Sequence, residues 1–333
     1  MRKFVCLALL GFLLLSAPAS AQFAKAGRAG VQALKLGVGA RAAALGESFV
    51  AMADDPSALY WNPSGIARLE GRSVIGSYIQ WPAEVNFSTV GVTAPLGQGA
   101  IGVSLSVLST GYMNVRTVFH PEGTGQVFTV SDLIAGVSYA RNMTDRFSFG
   151  ITAKILREKL EDFEDTGVAF DIGSLYDIGF KGLRMGIAIL NFGPNLQYPV
   201  DEDGDGQKDE DPNNTLDDDG DGLIDEDGPQ ADVPLPLAFR VGFSMVPYVA
   251  GPNRLVTSLE AVHPSDNVET VHVGAEYSFG NMLFLRGGYK FNADLGGWTA
   301  GAGFRMRGVC IDYAYTNLDF LDKAQRATLT LTF

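Results

Sequence analysis

The residues best spaced for chemistry are carboxylates between Val200 and Asp232. Asp201-x-Asp203-x-Asp205-Gly206-x-x-Asp209 is followed by Asp217-x-Asp219-x-Asp221-Gly222-x-x-Asp225. Each run puts acids at positions 1, 3, 5 and 9 and glycine at position 6. With that spacing a loop can wrap one hard cation in oxygens and turn sharply at the glycine. Gln207 and Leu223 would offer backbone carbonyls at position 7. Position 12 is Pro212 or Gly228, so the bidentate glutamate of an EF-hand is missing, and Asp211 and Asp227 stand one residue earlier as replacements. The chemistry expected is structural calcium binding in the roughly 10⁻⁴–10⁻³ M class of extracellular modules. The competing reading is a solvated acidic spacer that holds ions diffusely. Without an ion, carboxylates this close repel and leave the loop disordered.

The acidity is local. The chain has a formal charge of −13, yet residues 201–232 hold fifteen Asp or Glu and one Lys, so the remainder sums to +1. Like charges exclude nucleic acid as a partner of this stretch. Met1-Arg2-Lys3, the apolar run Phe4 to Leu15 and Ala19-Ser20-Ala21 read as a signal peptide over 1–21, cleaved near Ala21. The apolar run is shorter than the ~20 residues a membrane helix needs. After cleavage Cys310 is the one remaining cysteine, so no internal disulfide is expected.

Catalysis finds no support. Of His120, His263 and His272, only His272 shares a strand face with a carboxylate, Glu276. No Ser/His/Asp or His-Glu-x-x-His arrangement is present. The protein is expected not to be an enzyme.

What positions the acidic island is a β-rich chain. Residues 22–71 read as a linker (22–36) followed by short helices. Ala40 to Leu45 has high helix propensity, Asp55 can cap a helix starting at Pro56, and Asn62 can do so for Pro63. From Arg72 the pattern alternates with period two. Fourteen strands are expected near 72–80, 84–95, 99–109, 127–141, 145–159, 166–178, 182–192, 235–247, 254–263, 268–279, 282–291, 297–306, 308–317 and 325–333. Over 268–279, Val271, Val273, Ala275, Tyr277 and Phe279 oppose Thr270, His272, Gly274, Glu276 and Ser278. Strand length, an even count and connections alternating between tight and long favour an outer-membrane barrel over a soluble sandwich. This fold is an all-β membrane protein, a fourteen-stranded antiparallel outer-membrane β-barrel (72–333) with a short helical N-terminal plug in its lumen. Parity places 193–234, with both acidic repeats, in an extracellular loop. Glu158, Lys159, Glu161, Asp162, Glu164 and Asp165 are expected at a solvated loop tip. Lys154, Glu260, Glu276, Arg286 and Lys290 are expected to point inward and form lumen ion pairs.

Gly39-Ala40-Arg41, the run from Ala51-Met52-Ala53-Asp54-Asp55-Pro56 through Trp61-Asn62-Pro63-Ser64-Gly65-Ile66-Ala67, and Asn191-Phe192-Gly193-Pro194 with Leu235-Pro236-Leu237-Ala238-Phe239-Arg240-Val241-Gly242 resemble the PorV/PorQ family. That family is itself similar to FadL-type outer-membrane transporters. The acidic insertion departs from it and resembles the thrombospondin type 3 class of calcium repeat. The resemblance implies a fourteen-stranded barrel with its N-terminal segment folded inward. It implies work in type IX secretion, with cargo proteins or other secretion components as partners, or, alternatively, passage of hydrophobic small molecules as in FadL-like relatives. A surface-adhesion barrel is a third reading. The terminal strand ending at Phe333 resembles the recognition signal of the outer-membrane assembly machinery.

Overall fold

The computed structural model describes residues 28–160, 163–198 and 231–333. Fourteen antiparallel strands form one closed barrel: β1 (Ser73–Gln80), β2 (Asn86–Leu96), β3 (Gly99–Ser109), β4 (Val130–Asn142), β5 (Phe147–Leu160), β6 (Phe163–Asp177), β7 (Arg184–Phe192), β8 (Ala238–Ala250), β9 (Asn253–Pro264), β10 (Thr270–Phe279), β11 (Leu283–Phe291), β12 (Trp298–Met306), β13 (Val309–Asn317) and β14 (Lys323–Thr332). Each strand pairs with its sequence neighbours. Closure comes from β1 on β14, in register from Ser73↔Thr332 to Gln80↔Gln325. All fourteen expected strands are present.

The side-chain alternation is inverted relative to a soluble protein. Val103, Ile151 and Ile311 are 53%, 49% and 56% exposed, whereas Thr152, Asp171 and Glu260 on the opposite faces are at most 2% exposed. An apolar exterior and a polar interior are what a barrel spanning lipid requires, since closure leaves no unpaired backbone edge.

The connections sort into two ends. Residues 97–98, 143–146, 251–252 and 307–308 are short turns at one end; 110–129 and 193–237 lie at the other. In the general pattern of bacterial outer-membrane barrels, short turns face the periplasm and long loops the cell exterior, and the two ends take their names from that pattern. Within the long connections, Met113–Asn114 pairs with Val127–Phe128, and Leu196–Tyr198 with Ala231–Val233. The first ribbon is why β4 starts at Val130 rather than at 127.

One expectation is corrected. Glu158 and Lys159 belong to β5, and Glu164 and Asp165 to β6, because that hairpin runs on to Leu160↔Phe163. Glu158 is 5% exposed and buried rather than solvated. Glu161 and Asp162 lie outside the described residues.

The lumen segment and the extracellular mouth

The N-terminal segment is the feature around which the lumen is organised. It has little regular structure: 3₁₀ turns at Gln32–Lys35 and Pro63–Arg68, and two short helices, α1 (Ala40–Ala44) and α2 (Ala58–Trp61). Of the two expected caps, Asn62 caps the turn that starts at Pro63, whereas the helix expected from Pro56 starts at Ala58 with no side-chain cap, and Asp55 makes a local turn bond instead. Asp55 Oδ1 accepts from the Ser57 amide, and Asn62 Oδ1 accepts from the Ser64 amide. Residues 28–36, expected as a linker, are instead largely buried. Val31 and Ala33 are inaccessible, and their amides donate to Glu158 Oε1 (3.0 Å) and Asp132 Oδ2 (3.3 Å) near the extracellular end of β4 and β5. At the other end Arg68 meets Asp177 and the carbonyl of Arg146, beside the short turns. The segment therefore runs down the lumen before entering β1.

The wall is shaped to receive it. Short helices and irregular turns leave many backbone donors unpaired, and wall side chains satisfy them. Phe49 and Val50 donate to Glu260 Oε2 at 2.7 and 2.8 Å. Ala40 donates to Thr328 Oγ1 at 2.8 Å. The Thr299 hydroxyl accepts from Gly46 N–H (2.9 Å) and donates to Ala44 O (3.0 Å). Close approach depends on glycine. A Cβ at Gly288 would fall on the backbone of Leu45 and Gly46, and one at Gly173 on the Asn62 side chain.

Two ionic clusters lie along this path. In the first, Arg41 bonds Glu276 through Nε and Nη2 (2.8 and 3.0 Å) and reaches Asp54 (2.5 Å) and Asp55 (3.0 Å). Glu276 also holds Arg286 at 2.6 Å, which continues to Asp312 at 2.6 Å. In the second, Glu47 pairs with Lys290 (2.8 Å) and Arg326 (3.4 Å). Burial alone would raise the Glu47 carboxyl, but those two cations hold it well below its usual range. At the β6–β7 irregularity, Lys154 joins Asp171 (2.7 Å) and Asn191 (2.8 Å), and the Asn191 side chain donates to Pro236 O at 3.1 Å.

The inward charges expected from sequence, Lys154, Glu260, Glu276, Arg286 and Lys290, are all paired. Of their partners, Arg41 and Arg240 were named only within the family resemblance, and Glu47, Asp171 and Asp312 were not singled out. A signal for two exists: Arg240 and Asp171 each sit two residues from a wall glycine that the segment approaches. The structure also brings together the sequence blocks that are far apart in the chain. Arg41 meets Asp54 and Asp55, and Asn191 meets Pro236.

Above the segment the mouth holds an open cavity of about 320 Å³. Leu34, Tyr60, Arg240, His272, Lys290 and Pro264 are among its walls. Beside the segment, between Leu34, Leu59, Ile75, Phe87 and Ile134, lies an apolar cavity of only about 30 Å³. The ten candidate calcium ligands, Asp201 through Asp227, lie outside the described residues. Among the described residues no group of acids, His or Cys is arranged to hold a metal.

Comparison with known proteins agrees with this architecture. No curated protein sequence matches. The toluene transporter TbuX of Ralstonia pickettii has the same fold at a TM-score of 0.60, with 14% identity over 89% of this chain and 98% of that one. The toluene transporter TodX of Pseudomonas putida matches at 0.57, with 13% identity over 88% and 96%. A FadL homologue of Pseudomonas aeruginosa matches at 0.53, with 14% identity over 90% and 98%. At such identities the likeness is one of fold. The family model described as "Type IX secretion system protein PorV" matches residues 19–233. That match covers most of the chain, and the protein is thus an outer-membrane β-barrel belonging to the PorV family of the type IX secretion system.

Proposed function

We propose that the protein acts in type IX secretion as a non-catalytic docking or shuttle barrel, receiving secreted cargo or another secretion component at its extracellular mouth. The observation that carries this reading is the filled lumen beneath an open mouth. A cavity of ~150 Å³ is what holds a benzene-sized guest; the apolar space beside the segment is about 30 Å³. The mouth, by contrast, offers about 320 Å³ and the exposed loop residues Tyr112, Val118 and Phe119. The test is affinity capture from the native membrane with the intact protein, compared with a form whose residues 112–126 are replaced by a Gly-Ser loop. Loss of the co-purified secretion component is expected. Equal capture by both forms would sink the mouth-docking reading.

A second reading, a channel for hydrophobic small molecules, is favoured by the shared fold with toluene transporters and by the apolar lining of that small cavity. It requires the segment to move aside. Uptake of a hydrophobic solute into proteoliposomes at a rate above that of empty vesicles would support it over docking.

Three further elements belong to the proposal. Residues 1–21 are a signal peptide. The strand ending at Phe333 is the handle for the outer-membrane assembly machinery. The repeats from Asp201 to Asp227 bind calcium as a structural ion and leave the barrel to stand on its own.

A further inference from the structure

The short-turn rim is basic and the opposite rim is not. Arg72, Arg141, Arg146, Lys181 and Arg307 are exposed at the short-turn end, with Glu70 and Asp145 as the exposed acidic side chains among the described residues there. The long-loop rim mixes signs, with Glu84, Glu122, Glu269 and Asp294 exposed beside Arg116 and Lys159. Among the described residues none of the five bases is in an ion pair. Arg141 bonds the neutral side chain of Gln98, and Lys181 sits 5.9 Å from the ring of Phe180. Exposed apolar side chains stand next to them: Phe180, Met143 and Met306 are 66%, 59% and 51% exposed. The turns thus pair an apolar tip at the edge of the lipid band with a base at headgroup height.

The bases are spread round the circumference, just before β1 and on the turns or strand ends of β4–β5, β6–β7 and β12–β13. A docked protein covers one arc of such a ring, whereas lipid surrounds all of it. We infer that this rim is an anionic-lipid collar: its unpaired bases bind the phosphate-bearing, negatively charged headgroups of the periplasmic leaflet. Each base held against an anionic surface raises the local preference for such lipids by up to about five-fold, an effect that falls off within a Debye length.

The test uses the full-length mature protein extracted from mixed phosphatidylglycerol–phosphatidylcholine bilayers, with retained lipids counted by native mass spectrometry. The wild type is expected to retain phosphatidylglycerol several-fold above its bulk fraction, and to lose that excess in ~1 M salt, where the Debye length is about 3 Å. Arg141→Gln, Lys181→Gln and Arg307→Gln together should abolish most of the excess, while Arg116→Gln with Lys159→Gln at the opposite rim should leave it intact. No enrichment in the wild type, or the same enrichment in the rim variant, overturns the inference. So does the outcome in which enrichment is absent but the rim variant loses binding to soluble polyglutamate, which would assign the collar to an acidic protein. Should the triple variant fail to fold, the salt series on the wild type decides.

Discussion

Replacing Arg41 with Met isolates the contribution of one guanidinium to the seating of the lumen segment. Met keeps an unbranched apolar stem near Phe49, whose ring lies 5.3 Å from the Arg41 guanidinium carbon, but removes the charge shared by Glu276, Asp54 and Asp55. Stripping one partner from a buried pair costs about 3–5 kcal/mol, because the other charge is left uncompensated. Two features lower that figure here. Glu276 keeps Arg286 at 2.6 Å, and the Asp54 side chain is 42% exposed, so water takes over part of its solvation. About 2–3 kcal/mol is expected, concentrated in the segment, since Arg41 takes no part in the strand ladder. Hydrogen exchange reads this directly: amides of residues 40–62 should exchange roughly 30- to 150-fold faster, with strand amides unchanged and heat-modifiable mobility retained. Adding Glu276→Gln, which removes the excess carboxylate and leaves Arg286 balanced by Asp312, should recover part of the loss. Unchanged exchange over 40–62 would show that the ion cluster does not seat the segment. Strand amides loosening equally would show that segment and barrel open as one unit.

Gly288→Val should dislodge the turn at Leu45 and Gly46, whose backbone occupies the space of the new side chain, at a cost of about 1–3 kcal/mol or more; Gly76→Val, where nothing lies within 4 Å, should be silent, with protease cleavage within residues 40–62 as the measure of both. Seating through Glu47 should be insensitive to pH between about 5 and 8. Its carboxyl is depressed in the folded state, so the stabilisation is present above the unfolded value near 4.5 and disappears only as pH falls toward the lower folded value; hydrogen exchange over 40–50 measured down to about pH 3 should show loss only at the acid end. Chelation should increase proteolysis within 200–232 without altering barrel mobility on a cold gel, and melting of the whole barrel on chelation would refute the separation of loop and barrel.

The barrel was legible because its signal is local and repeated. Period-two alternation in runs such as Val271–Phe279 sets both strand and face, and the lengths of 110–129 and 193–237 against tight turns such as Arg307–Gly308 set the two ends. Strand starts were blurred where loop ribbons also alternate, as at Val127–Phe128. The lumen site was half legible. Inward parity exposed Glu276 and Lys290, but their partners Arg41 and Glu47 lie in a stretch without periodicity, and pairings across more than two hundred residues have no local trace. Residues 28–36 were misread for a physical reason: with no periodic pattern of their own, they are ordered by Glu158, Asp132 and the apolar contacts of Leu196 and Val233 at Gly30.

That dependence explains how a barrel this wide is filled. Fourteen strands enclose more space than their own side chains fill, and the inner wall mixes polar side chains with apolar ones such as Ile79, Phe87 and Leu156, which pack on Val31, Leu34 and Val38 of the segment. The chain fills the gap with backbone. Small residues in Ala40–Ala44 and glycines on the wall let main chain approach main chain. Wall carboxylates and hydroxyls then take the amides that the helix start and the irregular turns leave free, as Thr328 does for Ala40 and Glu260 for Phe49 and Val50. Helices as short as α1 and α2 do not form alone in water, so the segment draws its structure from the barrel. The polar interior in turn needs the segment, because Glu47 neutralises Lys290 on β11 and Arg326 on β14, and Arg41 adds a second guanidinium to Glu276 on β10. Opening such a lumen means separating several ion pairs and amide bonds at once. A docking barrel can keep that seal permanently, whereas a channel would have to break it in each transport cycle.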